Sequence, residues 1–321
     1  DRLAAEPERP PGLYFGLAGA VWFLIEAARC LDDPSLAARA RSLALSLPAG
    51  SFFNPDLTHG NAGIGLALLH LWSLTGDDRV LARARLAGES VRAAAKPGAH
   101  GAVWPVASEA ESTFAGLTLY GFAHGNAGIA YFLLCAAEAL GESSYRDLGT
   151  EGLETLLRLA KVEKGSATWE AGEERSFAWA HWCNGSSGVG TALIRGYAVT
   201  GDERYRQMAE LAGAAVAGAK WRSPLVQCHG LAGNAEFLLD LRDLTGDARF
   251  FDMAMDLAGT IYSRRVYDDG LMVFPDESGR TFAAAFNTGL AGVGSLFLRL
   301  LHGGPRPLMA DKLLLPSPSG T

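Results

Sequence analysis

The chain has 321 residues, 49% of them hydrophobic and 20% charged, with a formal net charge of −7. That balance is ample for a large core, and without a long basic block it argues against nucleic acid and anionic membrane as main partners. No apolar run is long enough to span a bilayer, and the opening Asp1-Arg2-Leu3-Ala4-Ala5 lacks the basic-then-apolar order of a secretory signal, so a cytoplasmic protein whose four cysteines stay reduced is expected.

Residues 1–12, rich in Pro, Glu and Arg, read as a linker, and residues 13–321 as one domain. Gly16-Leu17-Ala18-Gly19 opens an apolar helix to about Leu31, with Cys30 expected inside it as a buried structural thiol. Asp32-Asp33-Pro34-Ser35 starts an amphipathic helix to about Leu47. The unit is clearest in its second copy. There Gly60 to Leu74 is apolar, Thr75-Gly76-Asp77-Asp78 stops one helix and caps the next, and Arg79 to about Ala95 carries apolar residues on one face. The same punctuation returns at Thr200-Gly201-Asp202 and Thr245-Gly246-Asp247, with Gly141-Glu142-Ser143 as a variant. Inserts at Lys96–Phe122, Lys161–Trp182 and Arg264–Phe286 hold Gly, Pro and Trp among β-branched residues and suit small hairpins on the face that carries the turns. There they form either a rim that grips an extended peptide or a covering decoration. The last apolar helix runs from Gly289 to about Leu301, and no clear partner follows it, since Leu308–Leu315 is weak.

Six Gly-x-x-Gly turns thus begin at Gly16, Gly60, Gly125, Gly185, Gly230 and Gly289, spaced 44, 65, 60, 45 and 59 residues apart. A helix pair with one variable connection needs about that period, and a recurring period signals repeat architecture. Apolar helices alternating with amphipathic ones imply an inner and an outer layer. If the repeats stack about an axis, the residues just before the glycines form a ring at one end of the inner helices, an opening lined by helix N-termini.

Aligning the turns puts Phe15, His59, His124, Asn184, His229 and Thr288 in the column before the first glycine. One position earlier stand Tyr14, Thr58, Ala123, Cys183, Cys228 and Asn287. Cys183, Cys228 and His229 supply two thiolates and an imidazole, a set that suits one Zn2+ and leaves the fourth tetrahedral position open for chemistry. The bland alternative is two unrelated buried cysteines beside a capping histidine. His181, two residues before Cys183, is either beside the ligands or exposed. His70, His100 and His302 are assigned to packing or solvent.

The pattern Trp182-Cys183-x-Gly185 and Cys228-His229-Gly230, preceded by Ala123-His124-Gly125 and Asp56-Leu57-Thr58-His59-Gly60, resembles the lanthionine synthetase C family of lanthipeptide cyclases over essentially the whole chain. The resemblance implies an all-α fold, an α/α toroid, with zinc at its centre. It also implies a dehydrated precursor peptide as substrate. In that reading a substrate cysteine takes the open zinc position, adds as thiolate to a dehydroalanine or dehydrobutyrine, and leaves an enolate to be protonated. His124 is the candidate acid or base. Asp56 is the acidic residue that would orient it, or else simply an Asp cap of its turn, and His59 could exchange roles with His124.

Two positions depart from the family. Where many members have Arg four residues before the first zinc cysteine and an aromatic after it, this chain has Trp179 and Asn184, which removes the usual means of stabilising the enolate. The departures and the abrupt start suggest the cyclase portion of a longer synthetase with a kinase or lyase module upstream. Other readings are glutathione addition to dehydrated proteins, a prenyltransferase-like zinc enzyme, and a non-catalytic peptide-binding relative.

Overall fold

The computed structural model describes residues 9–52, 54–108 and 112–310. Most of the expected linker and most of Leu308–Leu315 therefore lie outside the described residues. Eleven α-helices are found among the described residues: α1 Leu17–Leu31, α2 Pro34–Ser46, α3 Asn61–Thr75, α4 Asp78–Ala93, α5 Asn126–Leu140, α6 Ser143–Leu159, α7 Ser186–Thr200, α8 Glu203–Gly218, α9 Leu231–Thr245, α10 Ala248–Ser263 and α11 Leu290–His302. Among the described residues eight short strands pair into four antiparallel hairpins: β1 Lys96–Gly98 with β2 Gly101–Val103, β3 Lys161–Glu163 with β4 Ser166–Thr168, β5 Glu170–Gly172 with β6 Arg175–Ala178, and β7 Val266–Asp268 with β8 Leu271–Val273. The residues group into two compact units. Of the described residues, one takes those within 9–117, 128–152 and Ala310, the other Thr118–Ala127 and Leu153–Met309.

The same rules build both units. In the first, α3 is buried on all sides from Asn61 to Leu71, whereas α4 buries only Val80, Ala84, Ala87, Gly88 and Val91. In the second, α7 and α9 are buried almost throughout, whereas α8 buries Tyr205, Ala209, Ala212, Gly213 and Val216. The α10 stripe, Phe250, Ala254, Leu257, Ala258 and Ile261, has the same spacing as the α4 and α8 stripes. A stripe at those intervals is one face of a 3.6-residue helix. The punctuation works as expected: Gly76, Gly201 and Gly246 take left-handed conformations that end α3, α7 and α9, and Asp77, Asp202 and Asp247 accept the amides of Arg79, Arg204 and Arg249.

Three hairpins each follow an amphipathic helix and lead directly into a buried aromatic: Trp104, Trp169 and Phe274. Trp104 Nε1 donates to the Val91 carbonyl at 2.9 Å and Trp169 Nε1 to the Leu156 carbonyl at 2.7 Å, so each indole satisfies a carbonyl in the last turn of its helix. The tips at Lys164-Gly165 and Asp269-Gly270 have positive φ at both residues, the two-residue turn that suits a twisted hairpin.

The Cys30 expectation is corrected: this thiol is exposed. The buried stripe of α1 includes Val21, Trp22, Ile25 and Ala28, and Cys30 sits two residues past Ala28, about 200° round the helix. His70 is a packing residue as assigned. It is buried, stacked on Trp22 with centroids 3.7 Å apart, and its Nε2 lies 2.8 Å from a Glu26 carboxylate oxygen.

Candidate metal centre

The Gly-x-x-Gly turn is a device for doubling the chain back onto the start of a helix. In all six copies the first helical amide donates to a carbonyl seven residues earlier. Leu17, Asn61, Asn126, Ser186, Leu231 and Leu290 donate to Pro10, Asn54, Leu119, Trp179, Pro224 and Ala283, over 2.8 to 3.2 Å. Pro10 therefore already belongs to the first repeat, two residues inside the stretch read as linker. The second glycine lets the same loop pass close by. A Cβ on Gly188 would stand 2.0 Å from the Trp182 carbonyl oxygen, and one on Gly233 would stand 1.9 Å from that of Gln227. The expected opening lined by helix N-termini needs revision in one respect: the leading amides are already bonded to backbone, and a developing anion would need other donors.

Neighbouring turns are then joined through the column of residues two before the first glycine. In the second unit the Ala123 amide donates to the Cys183 carbonyl at 3.0 Å, that of Cys183 to Cys228 at 2.9 Å, and that of Cys228 to Asn287 at 2.9 Å. In the first unit Tyr14 donates to Thr58 in the same way at 3.3 Å. This chain of main-chain bonds holds the Cys183 and Cys228 backbones side by side although 45 residues separate them. Gly121 completes the cradle, since a Cβ there would stand 2.3 Å from the Cys183 carbonyl. Gly185, at φ 140°, uses backbone open essentially to glycine alone.

One donor atom from each of Cys183, Cys228 and His229 lies within 4.8 Å of the other two. A cation that bonds sulfur at about 2.3 Å and imidazole nitrogen at about 2.0 Å can close that span, so the residues fit Zn2+ in number, softness and spacing. The two thiols are electrostatically coupled. The hydrogen bond from Cys228, helped by His229 and the charge of His124 and opposed by burial, holds Cys183 down at about 6. The same hydrogen bond and burial push Cys228 far up. Without a metal, Cys183 is thus the thiolate and Cys228 the thiol that donates to it. His229 is raised by its hydrogen bond to Cys183.

His181 is buried beside this group. Its ring stacks on half-exposed Trp179 with centroids 5.2 Å apart, lies 6.1 Å from that of His229, and places Nε2 3.4 Å from Ser223 Oγ. Burial, with the His229 charge second, lowers it to about 4, so it is neutral near pH 7. Trp179, in the place of the family's Arg, offers an aromatic face rather than a charge. Asn184 lies against Gly121, its Oδ1 2.9 Å from where a Cβ would stand. Asp56 and His59 belong to the first unit. The Asp56 carboxylate accepts the amides of His59 at 2.7 Å and Gly60 at 2.9 Å and the Asn54 side chain at 3.2 Å, the contacts of an Asp cap, and the His59 ring stacks on Phe15.

The sequence reading missed Glu277, whose Oε2 lies 3.0 Å from His229 Nε2, and Ser223. Neither falls in the repeat register that exposed the candidate ligands.

A family model described as Lanthionine synthetase C-like protein matches residues 1–314. The chain belongs to this family. It is 31% identical over 228 residues to LanC-like protein GCL1 of Arabidopsis thaliana, covering 69% of this chain and 50% of that protein. It is likewise 31% identical over 134 residues to a Danio rerio protein named Glutathione S-transferase LANCL1, covering 40% of this chain and 32% of that one. The chain thus spans half or less of these curated relatives. Among solved structures, nisin cyclase aligns with TM-score 0.72 at 18% identity, over 98% of this chain and 82% of its own. An unsaturated glucuronyl hydrolase from Bacillus sp. GL1 aligns with TM-score 0.65 at 12%, over 94% and 89%. These likenesses show the fold, the all-α, α/α toroid class expected from the repeats and the family resemblance. A sugar hydrolase among them shows how little the fold alone says about chemistry.

Proposed function

We propose that this LanC-like protein is a zinc-dependent lanthipeptide cyclase, joining cysteine thiols of a precursor peptide to its dehydroalanine or dehydrobutyrine residues as thioether rings. The observation that carries the reading is the convergence of Cys183, Cys228 and His229, three donors with no fourth among the described residues. Zinc held there would supply a Lewis acid that keeps a substrate thiol in its reactive, deprotonated form.

The chain's own residues supply the rest. The main-chain bonds between turns set Cys183 beside Cys228, whose next residue is His229. When the thiolate attacks the β-carbon, the Cβ–S bond forms and the double-bond electrons move to the α-carbon and its carbonyl. A proton must then reach the α-carbon. His124, near enough to Cys183 to act on it electrostatically, is the proposed donor. Asp56 caps its own turn in the first unit, and the supporting acidic role rests on the family resemblance alone. Trp179 and buried, neutral His181 replace the missing Arg with an aromatic wall and an uncharged imidazole. The substrate is a dehydrated peptide, so an elimination step must precede this one.

A second reading, addition of glutathione to dehydrated proteins, draws support from the name of the Danio rerio relative. One assay separates the two: zinc-loaded protein is given a peptide with one dehydroalanine and one cysteine, with and without glutathione. A cyclase removes the peptide thiol, read by maleimide labelling, without a change of mass. The alternative yields a glutathione adduct and leaves the thiol free. Persistence of both thiol and dehydroalanine at the uncatalysed rate would refute both.

A further inference from the structure

We propose that Glu277 is a positioning residue for the metal centre, fixing the tautomer of His229 so that Nδ1 is the nitrogen offered to zinc. The inference rests on the zinc reading of Cys183, Cys228 and His229 and adds a residue outside the repeats. His229 Nε2 and Glu277 Oε2 stand 3.0 Å apart as an ion pair, close enough for a small turn of the exposed carboxylate to bring it onto the imidazole N–H. A nitrogen that gives its proton to the carboxylate has no lone pair for a cation, and Nδ1 is then the one left for the metal. Carboxylates commonly hold the far nitrogen of metal-ligating histidines in this manner, which fixes the ring plane and raises its basicity.

The backbone carrying Glu277 is built to hold that pose. The loop after β8 is closed by the Asp276 amide on the Thr281 carbonyl at 2.8 Å and the Gly279 amide on the Asp276 carbonyl at 3.0 Å. The Asp276 carboxylate takes the Ser278 amide at 2.9 Å and the hydroxyls of Ser278 and Thr281 at 2.6 and 2.5 Å. The Glu277 amide donates to the Thr288 carbonyl at 3.2 Å, in the turn whose Asn287 carbonyl accepts the amide of Cys228. One main-chain path therefore connects the orienting carboxylate to a ligand cysteine. The third insert does more than cover the turns: it delivers a charge to the metal side of the molecule. Glu277 is not itself a ligand in this arrangement, since the group of donors within 4.8 Å of one another holds Cys183, Cys228 and His229 without it.

The test measures zinc affinity by chelator competition for the full chain, Glu277→Gln and Glu277→Ala, and the His229 tautomer in the zinc-loaded protein by 15N NMR. The unmodified protein should bear its His229 proton on Nε2, and both variants should bind zinc about tenfold more weakly while keeping one zinc at saturation, the low end of such effects because Glu277 is half exposed. Unchanged affinity in both variants, or metal on Nε2, overturns the proposal. So does complete loss of zinc with an altered cobalt spectrum, which would make Glu277 a ligand. Failure of the unmodified protein to bind zinc would instead remove the reading of the three ligands.

Discussion

The amide of Cys183 donates to the carbonyl of Cys228 at 2.9 Å, so the two sulfur-bearing residues are neighbours through main chain before any metal draws them together. Their side chains are correspondingly unequal, one a thiolate and the other the thiol that donates to it.

That inequality predicts a titration. In metal-free protein, the thiolate absorbance near 240 nm should grow in with a midpoint at about 6, from Cys183. Cys228→Ala removes the largest stabilising contact, so the midpoint should move up towards that of an ordinary thiol. An unmoved midpoint would show that the hydrogen bond is not the cause.

Zinc binding should release protons. Cys228 is held protonated and must surrender its proton to become a ligand, and the upward shift of His229 works in the same direction, so affinity should strengthen as pH rises and weaken on acidification. Adding zinc to weakly buffered protein at pH 7 should acidify the solution by at least about one proton per site, read with an indicator dye. No release would contradict the assigned protonation.

Two glycine substitutions should have opposite signs. Gly188→Ala would drive a Cβ to 2.0 Å from the Trp182 carbonyl oxygen and 2.7 Å from Phe122 Cβ, and should lower stability by about 1–3 kcal/mol. Gly259→Ala lies inside α10 with nothing within 4 Å of the new Cβ, and should raise stability by about 0.4–1 kcal/mol. Denaturant midpoints of the pair test whether close backbone approach, rather than glycine content as such, is what the motif provides.

The last helix is pinned by charge. Buried Arg299 of α11 reaches Glu236 at 2.6 Å and Asp240 at 2.7 Å on α9. Arg299→Leu strands the fully buried Glu236 and should cost about 3–5 kcal/mol, while adding Glu236→Leu should recover much of the loss. Equal stability of the single and double variants would deny the pairing.

The candidate ligands were legible in the sequence because the repeats share a register: Cys183 and Cys228 fall in one column, and that column is the line of main-chain bonds between turns. Helix caps such as Asp202 were legible for a local reason, since a capping side chain needs only its own next two residues. Glu277 was not, because its loop has no counterpart in the other repeats and its partner His229 is 48 residues away. Cys30 was misread because the general tendency of thiols to be buried yields to the angular position of residue 30 on α1. The capping role of Asp56 was readable beside the catalytic one, and both its carboxylate oxygens are occupied within its own turn.

The most direct measurement is the metal content of purified protein by mass spectrometry, beside Cys228→Ala and, as control, the exposed Cys30→Ala. About one zinc per chain is expected in the unmodified protein and the control, and almost none in Cys228→Ala. Equal zinc in all three, or none in any after growth in zinc, would contradict it.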